Sequence, residues 1–282
     1  MPITNALSVD VEDWFQVGAF EKVIDRADWD SLEPRVDRNT HAVLDLFDAA
    51  GVKATFFSLG WVAKRNPALI RRIVKEGHEI ASHGWDHRRV FTLTPDQFRA
   101  DIDVARQAIE DAAGVAVTGY RAPSFSIDAR TPWAHQILAE EGYRYSSSVA
   151  PIKHDHYGWP EAPRFAFRPV ADAAMIELPV TIADIAGRKF ATGGGFFRLF
   201  PQVLTHAAIG KVNNRDGRPA IFYFHPWEID PDQPRVANAP IRSKLRHYSR
   251  LSAMKAKLAR LMTEHRWGRV DAIVLAESRR LT

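Results

Sequence analysis

The stretch Pro67-Ala-Leu-Ile-Arg-Arg-Ile-Val-Lys-Glu-Gly77-His-Glu-Ile-Ala-Ser82-His83-Gly-Trp-Asp-His87 carries three structural signals in succession. Proline opens and glycine closes the segment 67–77, which predicts a helix, because proline suits the first helical turn and glycine the position just past the last. The short apolar run 78–82 predicts a strand. That strand delivers two histidines four residues apart, just ahead of Arg88 and Arg89. Two imidazoles at i and i+4 fall on one side of a helical turn, close enough to reach one metal ion, though such a pair needs a third ligand.

The N-terminus supplies candidates for it. Leu7-Ser-Val-Asp-Val-Glu-Asp-Trp14 reads as a short apolar strand ending in three carboxylates, Asp10, Glu12 and Asp13. Carboxylates crowded at a strand end repel one another unless a cation or a proton compensates them. One of them joined to two imidazoles makes a facial set that leaves positions open for water and substrate. Glu12 lies two residues from Asp10, on the same strand face; Asp13 is the rival if the strand bulges or ends early.

The pattern of the first stretch repeats along the chain. Helices are expected over 39–51, 94–113 (Thr94 as N-cap), 131–142 and 201–213, and strands over 53–59, 117–122, 143–147, 175–179 and 220–225. Strand and helix in alternation imply parallel strands with helical crossovers. An open doubly wound sheet would suit the same pattern. Asp10, His83, Arg121 and His225, however, stand at or just after the ends of four separate strands, as in a barrel that gathers chemistry at one mouth. The mixed aromatic and acidic segment 14–34 reads as an ordered loop over that mouth. Gly193-Gly-Gly-Phe-Phe-Arg198 lacks the Lys-Ser/Thr of a phosphate loop and reads as a tight loop beside a substrate.

A chain of 282 residues with 46% apolar side chains can bury a sizeable α/β core. There is no cysteine, which excludes disulfides and thiolate metal sites. Without a secretory signal or a long apolar span, the expectation is a soluble, cytoplasmic protein with no nucleic-acid partner. The net charge of +4 is uneven: residues 240–282 hold 11 Lys and Arg against 3 acidic groups, a net of +8, which leaves −4 on residues 1–239. We therefore expect a catalytic domain over 1–239 and a basic helical extension over 240–282 packed on the same domain. Leu245, Tyr248, Leu251, Leu258 and Leu261 recur there at helical spacings. The cations are either merely solvated or face an anionic glycan or a membrane surface.

Over residues 5 to 230 the chain resembles the polysaccharide deacetylases of carbohydrate esterase family four, which act on chitooligosaccharides and peptidoglycan. Asp10-Val-Glu-Asp resembles the first motif, usually two adjacent aspartates, a base followed by a metal ligand. Ser82-His83-Gly-Trp-Asp-His87 resembles the second, which supplies both histidine ligands; Arg121-Ala-Pro-Ser-Phe the third, whose arginine orients the base; and Phe224-His225-Pro-Trp the last, whose histidine is the general acid. The Val-Asp-Val-Glu-Asp opening, Ser146-Ser-Ser148 and Gly193-Gly-Gly-Phe-Phe197 most resemble the branch found with exosortase-linked exopolysaccharide gene clusters. The resemblance implies a distorted (β/α) barrel with fewer than eight strands. It implies removal of N-acetyl groups from the amino sugars of a polysaccharide or lipid-linked glycan. Asp10 would be the base, His225 the acid, Arg121 the orienting cation, and His83, His87 and Glu12 or Asp13 the ligands of Zn2+ or Co2+. The family's aspartate that tunes the acid has no evident counterpart; Asp155, Asp172 and Asp184 are the candidates. Trp85, Phe125, Tyr157 and Trp227 are candidate sugar contacts. Hydrolysis of a small cyclic amide or ureide, and carbohydrate binding without catalysis, are the competing readings.

Overall fold

The computed structural model describes residues 2–154, 157–185 and 187–281. Its first strand, β1 (Thr4–Val11), is buried from Asn5 onward, as a strand covered on both faces should be. Alternation then sorts its side chains: Leu7, Val9 and Val11 face the layer between sheet and helices, while Ala6 joins the cluster inside the barrel, on the side where Ser8 and Asp10 follow. After an irregular segment, α1 (Val36–Ala50) lays Val43, Leu44 and Phe47 on the sheet and ends at Gly51 in the left-handed conformation. β2 (Thr55–Ser58), α2 (Gly60–Arg65), α3 (Pro67–Lys75) and β3 (Glu79–Ser82) follow, with Pro67 opening α3 as the sequence predicts. α4 (Pro95–Ala113) starts in a capping box, Thr94 and Gln97 each bonding the other's backbone N–H.

Past α4 the strands are minimal: β4 (Gly119–Tyr120), β5 (Tyr145–Ser146) and β6 (Ile176–Glu177), with α5 (Ala134–Glu140) between the first two. An antiparallel hairpin of β7 (Ile182–Ile185) and β8 (Arg188–Ala191), then α6 (Gly194–Leu199) and α7 (Gln202–Asn214), lead to β9 (Ile221–Phe224). The remainder is α8 (Ile241–Tyr248), α9 (Leu251–Glu264), β10 (Arg266–Gly268) and α10 (Val270–Ser278).

Among the described residues the barrel wall is seven parallel strands in the order β9-β1-β2-β3-β4-β5-β6, the distorted barrel of fewer than eight strands that was expected. β10 pairs in parallel with the first residues of β1. The gap between β6 and β9 is bridged by Thr181, whose N–H donates to Ile221 O (3.1 Å) and whose Oγ1 accepts from Ile221 N (2.7 Å). At the N-terminal end α10 packs Val270, Ile273 and Val274 into the inner cluster. Glu79, bonded by Thr55, Tyr145 and the Asp271 N–H, sits there with its carboxyl pushed up to about 7 by burial and by the charge of Asp271.

The C-terminal segment is less uniform than one basic helix. α9 buries Leu251, Met254, Leu258 and Leu261, and β10 joins the sheet. α8 is separated from α9 by Arg250 at φ 58° and buries only His247. No helix among the described residues is long and apolar enough to cross a membrane.

Candidate active site

The C-terminal ends of β1, β3 and β9, with the turn after β4, converge at one mouth of the barrel. β3 stops at Ser82, and His83 follows with its Nδ1 2.8 Å from the carbonyl of Arg121. A carbonyl can only accept, so Nδ1 carries the proton and Nε2 is left with its lone pair. The backbone then bends rather than entering a helical turn: Gly84 and His87 both take positive φ (76° and 60°), which corrects the helical reading of the two histidines. A side chain at Gly84 would come within 2.8 Å of Asp101 Oδ2, the atom that accepts the Trp85 N–H.

This bend sets the rings 5.5 Å apart and brings His87 Nε2 to 2.8 Å from Glu12 Oε2. One ligand atom each from Glu12, His83 and His87 lies within 4.8 Å of the others, and all three residues are buried. Glu12 Oε2 makes no hydrogen bond among the described residues despite its closeness to His87. A buried carboxylate oxygen facing an imidazole nitrogen without hydrogen-bond geometry is the arrangement expected where both lone pairs address one cation. The donor set fits a divalent transition metal. Burial pushes His83 down to about 4, which keeps it neutral. Burial also works against the Glu12 carboxylate, but His87 and His225 outweigh it and hold the group down to about 2.

Asp13 is drawn elsewhere. β1 ends at Val11 and the Glu12 N–H turns back to Asp10 O (3.1 Å), so this turn, rather than strand alternation, aims Glu12. The next residue, Asp13, accepts from Arg35 N (2.7 Å), Val36 N (2.9 Å) and Trp14 N (2.8 Å), satisfying N–H groups at the start of α1. Asp13→Asn should therefore lower stability by about 1–2 kcal/mol while metal content is kept. Glu12→Gln, His83→Ala and His87→Ala should each lose the metal. Metal analysis beside thermal melts separates the two; full occupancy in Glu12→Gln would overturn the assignment.

Asp10 is buried inside the barrel, and its Oδ1 accepts from Arg121 Nη1 at 2.7 Å. The bond is single, not bidentate. Arg121, fully buried, spends its other donors on Ser8 Oγ (2.8 Å), Ser147 O (3.0 Å) and Ser147 Oγ (2.9 Å), and its guanidinium lies 4.1 Å from the Phe57 ring centre. Ser148 accepts the Ala122 N–H, so the serine run braces this arginine and its neighbour.

His225 follows the buried β9, with Nε2 3.9 Å from Asp10 Oδ2 and 3.6 Å from Glu12 Oε1. Its Nδ1 meets Glu228 Oε1 at 2.8 Å, and Glu228 Oε2 accepts from the buried Arg198 at 3.0 Å. Burial disfavours the imidazolium, yet the carboxylates of Glu12, Glu228 and Asp10 prevail and push its pKa up to about 9. Glu228 is the carboxylate that the sequence reading missed. Its signal was present: in His225-Pro-Trp-Glu228 an acid three residues on can close a capping box, and Glu228 does accept the His225 N–H (3.1 Å). Of the earlier candidates for this role, Asp155 lies outside the described residues, Asp172 is exposed, and Asp184 accepts the Gly187 N–H in the β7–β8 turn.

These groups line a cleft of about 540 Å³. Phe125 and Tyr157 form one wall, Phe125 in a left-handed pair with Ser124 (φ 48° and 54°). Trp227 forms another, stacked between His225 and His247 and donating its indole N–H to Glu12 Oε1 (3.3 Å). Trp85 is not among the described residues lining the cleft; it packs on Gly60 of α2. Gly193 and Gly194 lie flat on Tyr223, where a Cβ would approach to 2.6 and 2.9 Å, and this lets Gly195 and Phe196 reach the cleft. Val17, Gly18 and Ala19 of the 14–34 segment and Arg242, Ser243 and Arg246 of α8 complete the rim.

Residues 28–146 match the family model for polysaccharide deacetylase, and residues 147–275 that of a domain of unknown function (DUF3473). The chain is 32% identical over 133 residues to a chitooligosaccharide deacetylase of Bradyrhizobium (47% of this chain, 55% of that one). It is 37% identical over 84 residues to a peptidoglycan-N-acetylglucosamine deacetylase of Listeria monocytogenes (30% and 18%). An uncharacterised 30.6 kDa protein of Geobacillus stearothermophilus is 33% identical over 105 residues (37% and 39%). The matches thus span between 18% and 55% of these relatives. In fold, the chain is similar to a candidate polysaccharide deacetylase from Mycobacterium smegmatis, with 21% identity, a TM-score of 0.66 and 100% and 96% of the two chains covered. It is also similar to a family pseudoenzyme from Bacillus anthracis, with 14% identity, a TM-score of 0.52 and 97% and 69% covered.

Proposed function

We propose, from the support that the family model, the curated relatives and the fold give to the polysaccharide deacetylase family, that this chain is a metal-dependent hydrolase. It would remove N-acetyl groups from the amino sugars of a polysaccharide or lipid-linked glycan in exopolysaccharide synthesis. The observation that carries the reading is the opposition of Asp10, pinned by Arg121, and His225, backed by Glu228, across a mouth that also holds Glu12, His83 and His87. A fold kept only for binding would have no need of that arrangement.

Glu12, His83 and His87 would hold the divalent ion, which when bound supplies a Lewis acid that acidifies water and polarises an acyl oxygen. Asp10, with one oxygen bonded to Arg121, offers the other to a water on the His225 side and takes its proton as the water attacks the amide carbon. His225, protonated through Glu228 and the neighbouring carboxylates, faces the opposite flank and gives its proton to the leaving nitrogen as the C–N bond breaks. Acetate and a free amine result. Phe125 and Tyr157 line the cleft as apolar contacts for a sugar ring, while Trp227, its two faces covered by His225 and His247, backs the acid.

The test is acetate release from N-acetylglucosamine oligomers and from a small set of cyclic amides. Activity on the oligomers should disappear with a strong chelator and return with Zn2+ or Co2+. Unchanged hydrolysis in metal-free protein, or turnover of the cyclic amides alone, would sink the proposal.

A further inference from the structure

α8 has apolar residues on the outside. Ile241 and Leu245, four residues apart on one helical face, are 75% and 63% exposed, although the neighbouring α9 buries every leucine it has. Arg242, Lys244 and Arg246 interleave with them, and Arg250 follows. A short amphipathic helix that turns leucine and isoleucine to solvent between cations matches the chemistry of an anionic lipid surface, where the apolar side chains enter the headgroup boundary and the cations meet phosphates. Residues 241–250 carry four cations and no acidic group, which supplies complementary charge at this helix itself. The position matters as much as the composition. Arg242, Ser243 and Arg246 of the same helix line the cleft, as does Phe200, 39% exposed.

We propose that α8 docks the protein on an anionic membrane and sets the mouth of the cleft at the headgroup layer, so that the glycan it takes is one still attached to lipid. This rests on the deacetylase reading for the identity of the glycan, whereas the docking itself does not. The helix lies on the surface, Ile241 and Leu245 reaching the acyl boundary and Lys244 and Arg250 the phosphates. The inner face, with His247 stacked on Trp227, stays bound to the protein. A soluble acidic glycan would be held by the cations alone and would be indifferent to the two apolar side chains.

The experiment is flotation of the full chain with vesicles of phosphatidylcholine alone and of phosphatidylcholine mixed with phosphatidylglycerol, at low and high salt. Retention is expected only on the mixed vesicles, weakening as salt screens the charge. Ile241→Ser/Leu245→Ser should lower retention roughly tenfold or more with an unchanged melting temperature, and Ile241→Trp should raise it. Hydrolysis of soluble oligomers should be the same in wild type and the double serine variant. Failure of the wild type to float at low salt, or equal flotation of the double variant, overturns the proposal. Equal displacement by a soluble acidic polysaccharide that ignores both apolar side chains does so too. Flotation without any hydrolysis would overturn the deacetylase reading and leave the docking surface standing.

Discussion

Asp10→Asn is expected to lower kcat for N-acetyl hydrolysis by roughly 10²- to 10⁴-fold, the range lost with a general base, while the metal content stays at the wild-type level. The separation of effects follows from geometry. Glu12, His83 and His87 bring their candidate ligand atoms together without Asp10, so an ion bound there would not depend on it. Asparagine keeps an oxygen to accept the Arg121 bond at 2.7 Å, so the fold of the site also survives. What is lost is the second carboxylate oxygen, the proposed proton acceptor on the His225 side. Single-turnover acetate release together with metal analysis checks this. A variant that hydrolyses at half the wild-type rate would remove Asp10 from the chemistry, and one that arrives without metal would make it a ligand.

His225→Asn should cost a similar factor, since an amide cannot donate a proton to the departing nitrogen. The more informative substitution is Glu228→Gln, in a residue that touches no substrate. Glu228 holds His225 protonated from behind and is itself anchored by Arg198. A glutamine in its place can still accept one bond but carries no charge, so the imidazolium loses part of its support and its pKa falls. The sign is definite: lowering the acid's pKa moves the alkaline limb of the kcat profile to lower pH. A merely structural glutamate would reduce activity evenly across pH instead. An unmoved alkaline limb in Glu228→Gln would reassign Glu228 to packing around the buried Arg198.

Much of this molecule is written locally, because its signals act within a turn or two of the chain. Pro67 and Gly77 bracket α3, Thr94 and Gln97 cap α4, and Gly51 ends α1, each through bonds between near neighbours. The apolar alternation in Leu7-Ser-Val-Asp-Val is enough to send Asp10 inward, and the repeated strand–helix pattern is enough to imply a parallel sheet. Asp10, His83, Arg121 and His225 were legible for that reason: each sits at the end of a buried strand, and strand ends in such a fold meet at one mouth.

Other features depend on what the chain meets across space. Glu12 and Asp13 are adjacent carboxylates, and only the start of α1, arriving from residue 35, claims Asp13 and leaves Glu12 to the histidines. The helical reading of His83 and His87 failed because the spacing of two ligands says nothing of the backbone between them, which here turns on positive φ at Gly84 and His87. Trp85 is as aromatic as Trp227, but the bend points one at α2 and β9 carries the other into the cleft. In the C-terminal segment one leucine periodicity runs through α8 and α9. By itself the sequence determined that this stretch is helical and basic, since periodicity and charge are properties of composition along the chain. Which of its leucines are buried was decided by the tertiary structure, because burial depends on whether a surface stands opposite: α9 has the sheet core beneath it, and the outer face of α8 has solvent.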